Sequence, residues 1–399
     1  MIGADTLLAG PRGRRFVMEF LVESERARSP EGPWPLDGVV LDAASQFEDR
    51  PGSSYAVLAA PWFRPGWAVR ALPLRVLLRP VWSLRRLLMR RRCEVSAEHP
   101  PAHSPAQVAE RLSAATLPPV ADDVVRAALR ASVDAAMYWQ RPDGVDGLCR
   151  TADVCEALRP AAELLAESEF ASWFDADMDP LDQYECWPDG DAAWPGGLPV
   201  DWDAWRTSVV ASEHSSRGNL RADSPRACAG GVWASLPYPA AAVTTRRVRG
   251  VPLGLDMEED SMQPEAARVN RCAVHPGSRV LEIDSAETWA QLCQQYPLEV
   301  TAQMRGMWWD TTGRDGRWVI PDWSCVAEHY DAVHMQCRAY LAAAGTVIDV
   351  DGEAASVIAG WAPDSTVWFR RVGLTRGEER RWSLDEDEVW RPDWAGSPD

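Results

Sequence analysis

Hydrophobic positions recur at helical spacing along much of the first half of the chain. Ser104-Pro105 combines a helix cap with a proline at the first helical position, which predicts a helix over residues 104–115. Apolar residues line one face of residues 121–140 and again of 151–170, where Pro160 predicts a kink or a break. By contrast, the short β-branched and aromatic run at 15–21 predicts a strand that follows a turn.

The spacing changes in the second half, where short strand-like runs alternate with helical ones. Strands are predicted at 230–235, 278–283, 316–320 and 330–335, and a hairpin at 354–360 and 365–370. Asp284 and Glu287 resemble a capping box at the start of a helix that contains Trp289. Asp322 caps a short helix through His329, and a further helix is predicted at 201–211.

These patterns together predict an α+β fold. Residues 1–200 are predicted to be a mainly helical N-terminal region, in which 175–200 form an acidic connection that docks through its tryptophans. Residues 201–385 are predicted to form an α+β domain with a mixed or antiparallel sheet and short helices, which carries the candidate cleft. Residues 386–399 complete the chain as an acidic tail. Two domains are the usual expectation for 399 residues.

Charge and cysteine usage narrow the class of protein. A net charge of −18 repels nucleic acid over most of the surface. The nine cysteines are odd in number and include no C-x-x-C pair, which argues against a disulfide framework and a zinc site. No apolar run reaches membrane-spanning length, and no signal peptide is predicted at the N-terminus. We therefore expect a cytoplasmic protein with reduced thiols and no bound metal.

One basic segment departs from this acidic background. Residues 61–92 carry nine arginines between Arg64 and Arg92 and no acidic residue. One interpretation is a partly solvated helix whose arginines pair with the acidic remainder of the protein. The other is a surface that contacts an acidic partner, a membrane surface or phosphates.

Aromatic and polar residues concentrate at 307–334, where four of the 21 tryptophans lie among acids, arginines and histidines. Such a mixture is typical either of a core with polar struts or of the wall of a binding cleft. Arg217 and Arg221 follow Glu213-His214 and could hold an anion from a loop or a strand end. The three arginines of residues 244–250 either clamp phosphates or, as we expect, belong to an exposed loop and pair with Glu258, Glu259 and Asp260. The pattern does not predict a metal site at Glu328–His334. Walker A, G-x-G-x-x-G and G-x-S-x-G motifs are absent.

Several segments resemble known families. The runs LLAGPRGRRF at 7–16, MYWQ at 137–140 and TGRDGRWVIPDW at 312–323 resemble a family of uncharacterised actinobacterial proteins, over most of the chain. In the second half, GGVWAS, VLEID, DWSCVAEHYDAV and GWAPDSTVWF resemble ADP-ribosyltransferase-like domains. That resemblance implies NAD as a substrate and assigns Arg217 and Ser235 to the first two strands. Asp364 stands nearest to the late glutamate of such domains.

Two functions are consistent with these patterns, one enzymatic and one not. The first is a nucleotide- or NAD-directed transferase. Its predicted residues are Arg217 and Arg221 for phosphate, Trp233 and Ser235 for the ligand, and Asp364, Glu328 and His334 for catalysis. The second is a non-enzymatic interaction or scaffold protein whose tryptophans serve packing. A shared cleft of Trp233, His334 and Asp364 would favour the first, and scattered, fully buried tryptophans the second.

Overall fold

The computed structural model describes residues 2–29, 32, 35–48, 103–189, 200–219, 232–261, 264–385 and 389–393. The predictions for Arg221, the basic segment 61–92, Cys93, Cys228 and most of the tail 386–399 lie outside the described residues. Within them the fold is α+β, as predicted. None of the helices in these ranges has both the length and the apolar character needed to cross a bilayer.

The α-helices of the described residues are concentrated in the first half of the chain. They are α1 (Ala4–Ala9), α2 (Pro11–Arg28), α3 (Pro35–Ala44), α4 (Pro105–Ala114), α5 (Asp122–Asp134), α6 (Gly144–Cys149), α7 (Ala152–Ala157), α8 (Arg159–Ala166), α9 (Trp202–Asn219), α10 (Ala286–Gln295), α11 (Thr301–Thr312), α12 (Trp323–His329) and α13 (Cys337–Ala343). Ser104 caps α4 and forms a reciprocal capping box with Gln107. The predicted break near Pro160 is also confirmed, because the chain divides there into α7 and α8.

The predicted strand at 15–21 is wrong, since these residues lie inside α2. Pro11 begins that helix, and Phe16, Val17 and Phe20 are buried at helical spacing rather than alternating between two faces. Arg12 is buried as well: it donates to the Ser132 carbonyl at 2.6 Å and pairs with Asp146. A short run of branched and aromatic residues therefore belongs to a buried helix here, an ambiguity that composition alone does not resolve.

The strands of the described residues form two main sheets and a short two-stranded ribbon. They are β1 (Gln183–Pro188), β2 (Ala242–Thr245), β3 (Arg247–Val248), β4 (Val251–Pro252), β5 (Ala266–Val274), β6 (Val280–Ile283), β7 (Pro297–Glu299), β8 (Arg317–Pro321), β9 (Ala332–Met335), β10 (Ile348–Asp349), β11 (Ala354–Ser356), β12 (Ser365–Trp368), β13 (Leu374–Leu384) and β14 (Trp390–Pro392). The eight-stranded sheet has the order β14-β13-β5-β1-β2-β12-β9-β6, and the four-stranded sheet β10-β11-β8-β7.

Three predictions about strands and one about a helix cap need correction. Residues 183–188, within the predicted connection 175–200, form β1 in the middle of the large sheet. Residues 354–356 and 365–368 lie in different sheets and do not form a hairpin, because β11 pairs with β8 and β12 with β2 and β9. Residues 232–235 have no strand conformation. Ser285, rather than Asp284, caps α10 by accepting a hydrogen bond from the Thr288 N–H.

One hydrophobic core contains side chains from both halves of the chain. It joins Phe16 and Phe174 of the helical half to Trp308, Trp323 and Trp361 of the other. The contact is close at Gly10, where a Cβ would lie 2.4 Å from the carbonyl oxygen of Ala342 in α13. The helical and sheet regions therefore share one hydrophobic core. The division of the chain into two domains near residue 200 remains a prediction.

We expect the cysteines to be unpaired. Seven of the nine lie within the described residues, and all seven are free thiols. Burial raises the pKa of Cys293 to about 12 and that of Cys186 above its ordinary value, so these thiols are unreactive at neutral pH. Thiol titration of the denatured, unreduced protein should count nearly nine, and a count of five or fewer would contradict the expectation of a reducing compartment.

Candidate functional site

The register of four neighbouring strands places a row of polar side chains on one face of the eight-stranded sheet. His334 lies in β9, directly opposite Glu282 of the parallel strand β6 and Thr366 of the antiparallel strand β12. Thr366 in turn faces Thr244 of β2. Because side chains alternate along a strand, these paired positions point to the same side, whereas Ile283, Val333 and Val367 pack in the main core.

His334 is held between two carboxylates. Its Nδ1 lies 2.6 Å from Oε2 of Glu282, and its Nε2 lies 3.3 Å from Oδ1 of Asp364. Asp364 immediately precedes β12 and adopts a left-handed backbone (φ 60°), which aspartate tolerates better than most residues. His334 and Asp364 are both buried, at 0% and 1% exposure. Both ring nitrogens of the histidine are therefore occupied by groups of the protein itself.

Arg246 completes the arrangement, which we call the His334 network (Arg246, Glu282, His334 and Asp364). Arg246 follows β2, and its Nε and its backbone N–H donate to the two carboxylate oxygens of Asp364 at 2.5 and 2.9 Å. Its Nη2 donates to the carbonyl of Asp177 at 2.7 Å. Glu282 accepts from the Met178 N–H at 3.0 Å. The network thus connects β6 and β9 with the residues that flank β2 and β12, and with the segment that precedes β1.

The two carboxylates decide the charge of the histidine. Burial disfavours the imidazolium, but the hydrogen bonds to Asp364 and Glu282 outweigh it and raise the pKa of His334 to about 9. At neutral pH the ring is therefore protonated and donates from both nitrogens. A general base must instead be neutral and within reach of the proton that it removes. Chemically, this arrangement suits a buried ion-pair network that ties strands together.

Among the described candidate residues, only His334 and Asp364 are hydrogen-bonded to each other. Arg217 lies on α9 rather than on a loop or strand, and pairs with Glu213 at 3.1 Å and Glu299 at 2.9 Å. Those two carboxylates raise the pKa of Arg217, and they pair with the guanidinium that was predicted to hold a phosphate. Glu328 lies exposed on α12.

Trp233 and Ser235 serve as hydrogen-bonding groups of the core. The Trp233 carbonyl accepts from Nε1 of Trp308 at 2.9 Å. The Ser235 hydroxyl donates to the Ala359 carbonyl at 3.2 Å and accepts from the Ala359 N–H at 3.0 Å. The Ser235 carbonyl accepts from Nε1 of Trp323 at 3.0 Å. These contacts fix an irregular segment against the core, and they involve none of the atoms of the His334 network.

Sequence reasoning did not single out Glu282 or assign Arg246 its partner. One feature of the sequence could have identified Glu282: it is an acidic residue inside the otherwise apolar strand 280–283. An acid that is enclosed in a sheet requires a hydrogen-bonding or charged partner. The arginines at 246–249 were expected to pair with acids at 258–260. They pair instead with Asp364, Asp182 and Asp122.

Metal coordination finds no support in this arrangement. Across the ranges that the structure describes, no group of three or more His, Cys, Asp or Glu side chains has a geometry that could hold a metal ion. In the His334 network, both ring nitrogens of His334 and both carboxylate oxygens of Asp364 already form hydrogen bonds within the protein.

Glu259 is a buried acid outside the His334 network, and its pKa is raised as that of His334 is. Glu259 is buried, and its Oε2 accepts from the Gly360 N–H at 2.6 Å. Burial raises the pKa of Glu259 to about 8, although that hydrogen bond and the nearby charge of Arg12 act in the opposite direction. Both Glu259 and His334 therefore bind a proton more tightly in the folded chain than in the unfolded chain.

We expect the free energy of unfolding to fall as the pH rises from about 5 to 9. The stabilisation from His334 is complete below its ordinary pKa of 6.5 and is lost as the pH rises through about 9; for Glu259 the limits are 4.5 and about 8. Each pKa unit corresponds to about 1.4 kcal/mol, so the total loss is several kcal/mol. Urea melts at pH 5, 7 and 9 measure it. Glu259→Gln should flatten the curve below pH 8, and stability that rises over this range would contradict the expectation.

Comparisons with protein-family models, with curated proteins and with solved structures find no match to this chain.

Proposed function

We propose that this protein is a non-enzymatic interaction protein in which the His334 network and the buried tryptophans stabilise a scaffold. The observation that carries this proposal is the double hydrogen bonding of His334, whose two ring nitrogens both lie against carboxylates in a fully buried position. A protonated and enclosed imidazole offers no atom for proton abstraction from a substrate.

The environment of the tryptophans supports the same proposal. Among the residues that the structure describes, six tryptophans are fully buried: Trp289, Trp308, Trp318, Trp323, Trp361 and Trp368. Trp289, Trp323 and Trp361 pack against one another with ring centroids about 6 Å apart. Aromatic faces that are used in this way contribute packing energy and are not available to stack on a nucleotide base.

The partner that we propose is an acidic protein surface, bound through Arg64–Arg92. Because the whole chain carries −18 and this segment carries +9, the remainder carries −27. That remainder would repel an acidic partner at long range, but at physiological ionic strength charges more than about 8 Å away are largely screened. Direct arginine–carboxylate contacts persist at such salt concentrations, and arginine forms them with two parallel hydrogen bonds.

Retention on immobilised heparin tests the basic segment, with heparin as the anionic probe. We expect the full-length protein to be retained at physiological salt. A variant with Arg85, Arg86, Arg90 and Arg91 changed to Glu should elute in the flow-through. The control is Arg381→Gln, which removes an exposed arginine of β13 that pairs with Asp189, and which should be retained like the wild type. Elution of the wild type well below physiological salt would mean that the segment is neutralised internally.

A nucleotide- or NAD-directed transferase is the second candidate function. The meeting of His334 and Asp364, thirty residues apart in the chain, is the observation that favours it. In that case NAD should stabilise the protein saturably, because a ligand that binds only the folded state raises its apparent stability. The surface variant Arg217→Gln should then weaken the effect. The interaction-protein proposal instead expects no saturable shift with NAD, ADP-ribose or ATP.

A further inference from the structure

A single hydrogen bond holds the buried carboxyl group of Glu259. The residue lies in the irregular segment between Leu255 and β5, with a side chain that is buried, and its Oε2 accepts from the Gly360 N–H at 2.6 Å. Within the described residues, its Oε1 has no hydrogen-bond partner of ordinary length. A buried carboxylate requires a paired cation and several hydrogen bonds, so this position suits a neutral carboxylic acid better than a charged one.

Arg12 is the cation that acts on Glu259, but its guanidinium is bound to other groups. Its Nη1 donates to the Ser132 carbonyl at 2.6 Å, and its Nη2 pairs with Asp146. The described residues contain no ion pair between Arg12 and Glu259. Ionisation of Glu259 would therefore create a buried negative charge that the attraction of Arg12 offsets only in part.

Two tyrosines and a neighbouring acid are the other titratable groups that face Glu259. Tyr138, which follows α5, and Tyr340 of α13 are buried, and burial raises the pKa of both, so they stay neutral at mildly alkaline pH. Tyr340 favours the ionised form of Glu259, whereas Asp260 opposes it. Burial outweighs the favourable contributions and raises the pKa of Glu259 to about 8, so its proton is lost in the mildly alkaline range.

The segment that carries Glu259 is anchored on one side and has a turn beyond it. Met257 is buried, and its N–H donates to the Leu253 carbonyl at 2.9 Å, which fixes the chain up to that residue. Of residues 258–260, only Glu259 has a buried side chain. Asp260 adopts a left-handed backbone (φ 51°), which costs free energy in a residue with a side chain. Glu259 is therefore the residue that attaches 258–260 to the core.

We propose that Glu259 is a pH-sensitive switch, which holds residues 258–260 against Gly360 while it is protonated and releases them when it ionises. Release lets the carboxylate reach water and relieves the backbone strain at Asp260. It also removes the acceptor of the Gly360 N–H. The switch uses neither the His334 network nor Arg64–Arg92, so it can fail without affecting the proposed function.

Hydrogen exchange of the full-length protein at pH 6 and pH 9 tests the switch. Mass spectrometry with fragmentation to single residues reads the Gly360 amide, which donates to Glu259 in the closed form. Labelling times are adjusted for the faster intrinsic exchange at the higher pH. We expect the protection factor of this amide to fall at least about tenfold between pH 6 and pH 9, because the segment opens locally. The midpoint should lie near pH 8.

Glu259→Gln distinguishes the switch from a general loosening at alkaline pH. Glutamine has nearly the same size and still offers an oxygen to the Gly360 N–H, but it does not ionise, so protection at pH 9 should equal that at pH 6. His334 titrates in both proteins, so any change that arises from its network should be the same in both. Asp5→Asn removes an exposed carboxylate and should behave like the wild type.

Two results would overturn the switch. One is a fall in the protection of Gly360 that is as large in Glu259→Gln as in the wild type. The other is found in the wild type alone: ¹³C NMR of the glutamate carboxyl groups could show that Glu259 ionises while Gly360 stays protected. Loss of protection that follows the titration of Glu259, and that is absent in Glu259→Gln, supports the proposal.

Discussion

Replacing Trp289 by alanine is expected to lower the free energy of unfolding by about 3–5 kcal/mol. Trp289 is fully buried in α10, where its ring packs edge-on against Trp361 at 5.9 Å and tilted against Trp323 at 6.1 Å. Its Nε1 donates to the Ser356 hydroxyl at 3.0 Å, so truncation leaves a cavity and removes a buried hydrogen bond. Urea melts of the purified variant measure this loss.

Two comparisons control the Trp289 experiment. Trp289→Phe keeps most of the ring volume but removes the indole N–H, so its loss should be smaller than that of the alanine variant. Leu181→Ala truncates a side chain that is 76% exposed and should change stability by less than about 0.5 kcal/mol. If Trp289→Ala lost less than about 1 kcal/mol, Trp289 would not be a central part of the core.

Changing Asp364 to alanine is expected to cost about 3–5 kcal/mol, because it leaves a buried arginine and a buried imidazolium without their shared carboxylate. Oδ1 of Asp364 lies 2.5 Å from Nε of Arg246 and 3.3 Å from Nε2 of His334. The side chains of both partners are largely enclosed. The loss should be accompanied by a lower pKa of His334, since one of its two anionic partners is removed. Chemical denaturation gives the first quantity and histidine NMR the second.

Asp5→Asn provides the matched control for Asp364→Ala. Asp5 pairs with Arg159 at 2.8 Å, but its side chain is 89% exposed. Exposed ion pairs contribute about 0–1 kcal/mol, so this variant should be close to the wild type. An Asp364→Ala protein as stable as Asp5→Asn, or more stable than the wild type, would contradict a structural role and would be typical of a strained catalytic residue.

Local signals along the chain predicted the elements that depend on neighbours in sequence. The cap and proline at 104–105, the break at Pro160 and the Asp322 cap of α12 are satisfied within a few residues, and each is found as predicted. The strands at 280–283, 317–321 and 332–335 also follow from their alternation and their flanking turns. These features require only hydrogen bonds or packing inside one short segment.

The features that depend on distant partners were missed. Residues 354–356 and 365–368 lie close together in the chain, as the two strands of a hairpin would. The strands with which they pair, however, belong to two different sheets. Arg246 meets Asp364, and Glu282 meets His334, through strand pairings between segments that are 52 to 118 residues apart. The sequence pattern predicts His334 and Asp364 as two candidate residues of one cleft. It does not predict that they are hydrogen-bonded members of an ion-pair network.

The protonation state of His334 distinguishes a scaffold role of this residue from a catalytic one. We predict that ¹⁵N NMR of the imidazole in the wild-type protein at pH 7.5 will show both nitrogens protonated, with titration near pH 9, and no change on addition of NAD. The other five histidines provide internal references within the same spectrum. A neutral His334 at pH 7.5, with one unprotonated nitrogen that shifts when NAD is added, would contradict the scaffold role and restore this residue as a catalytic base.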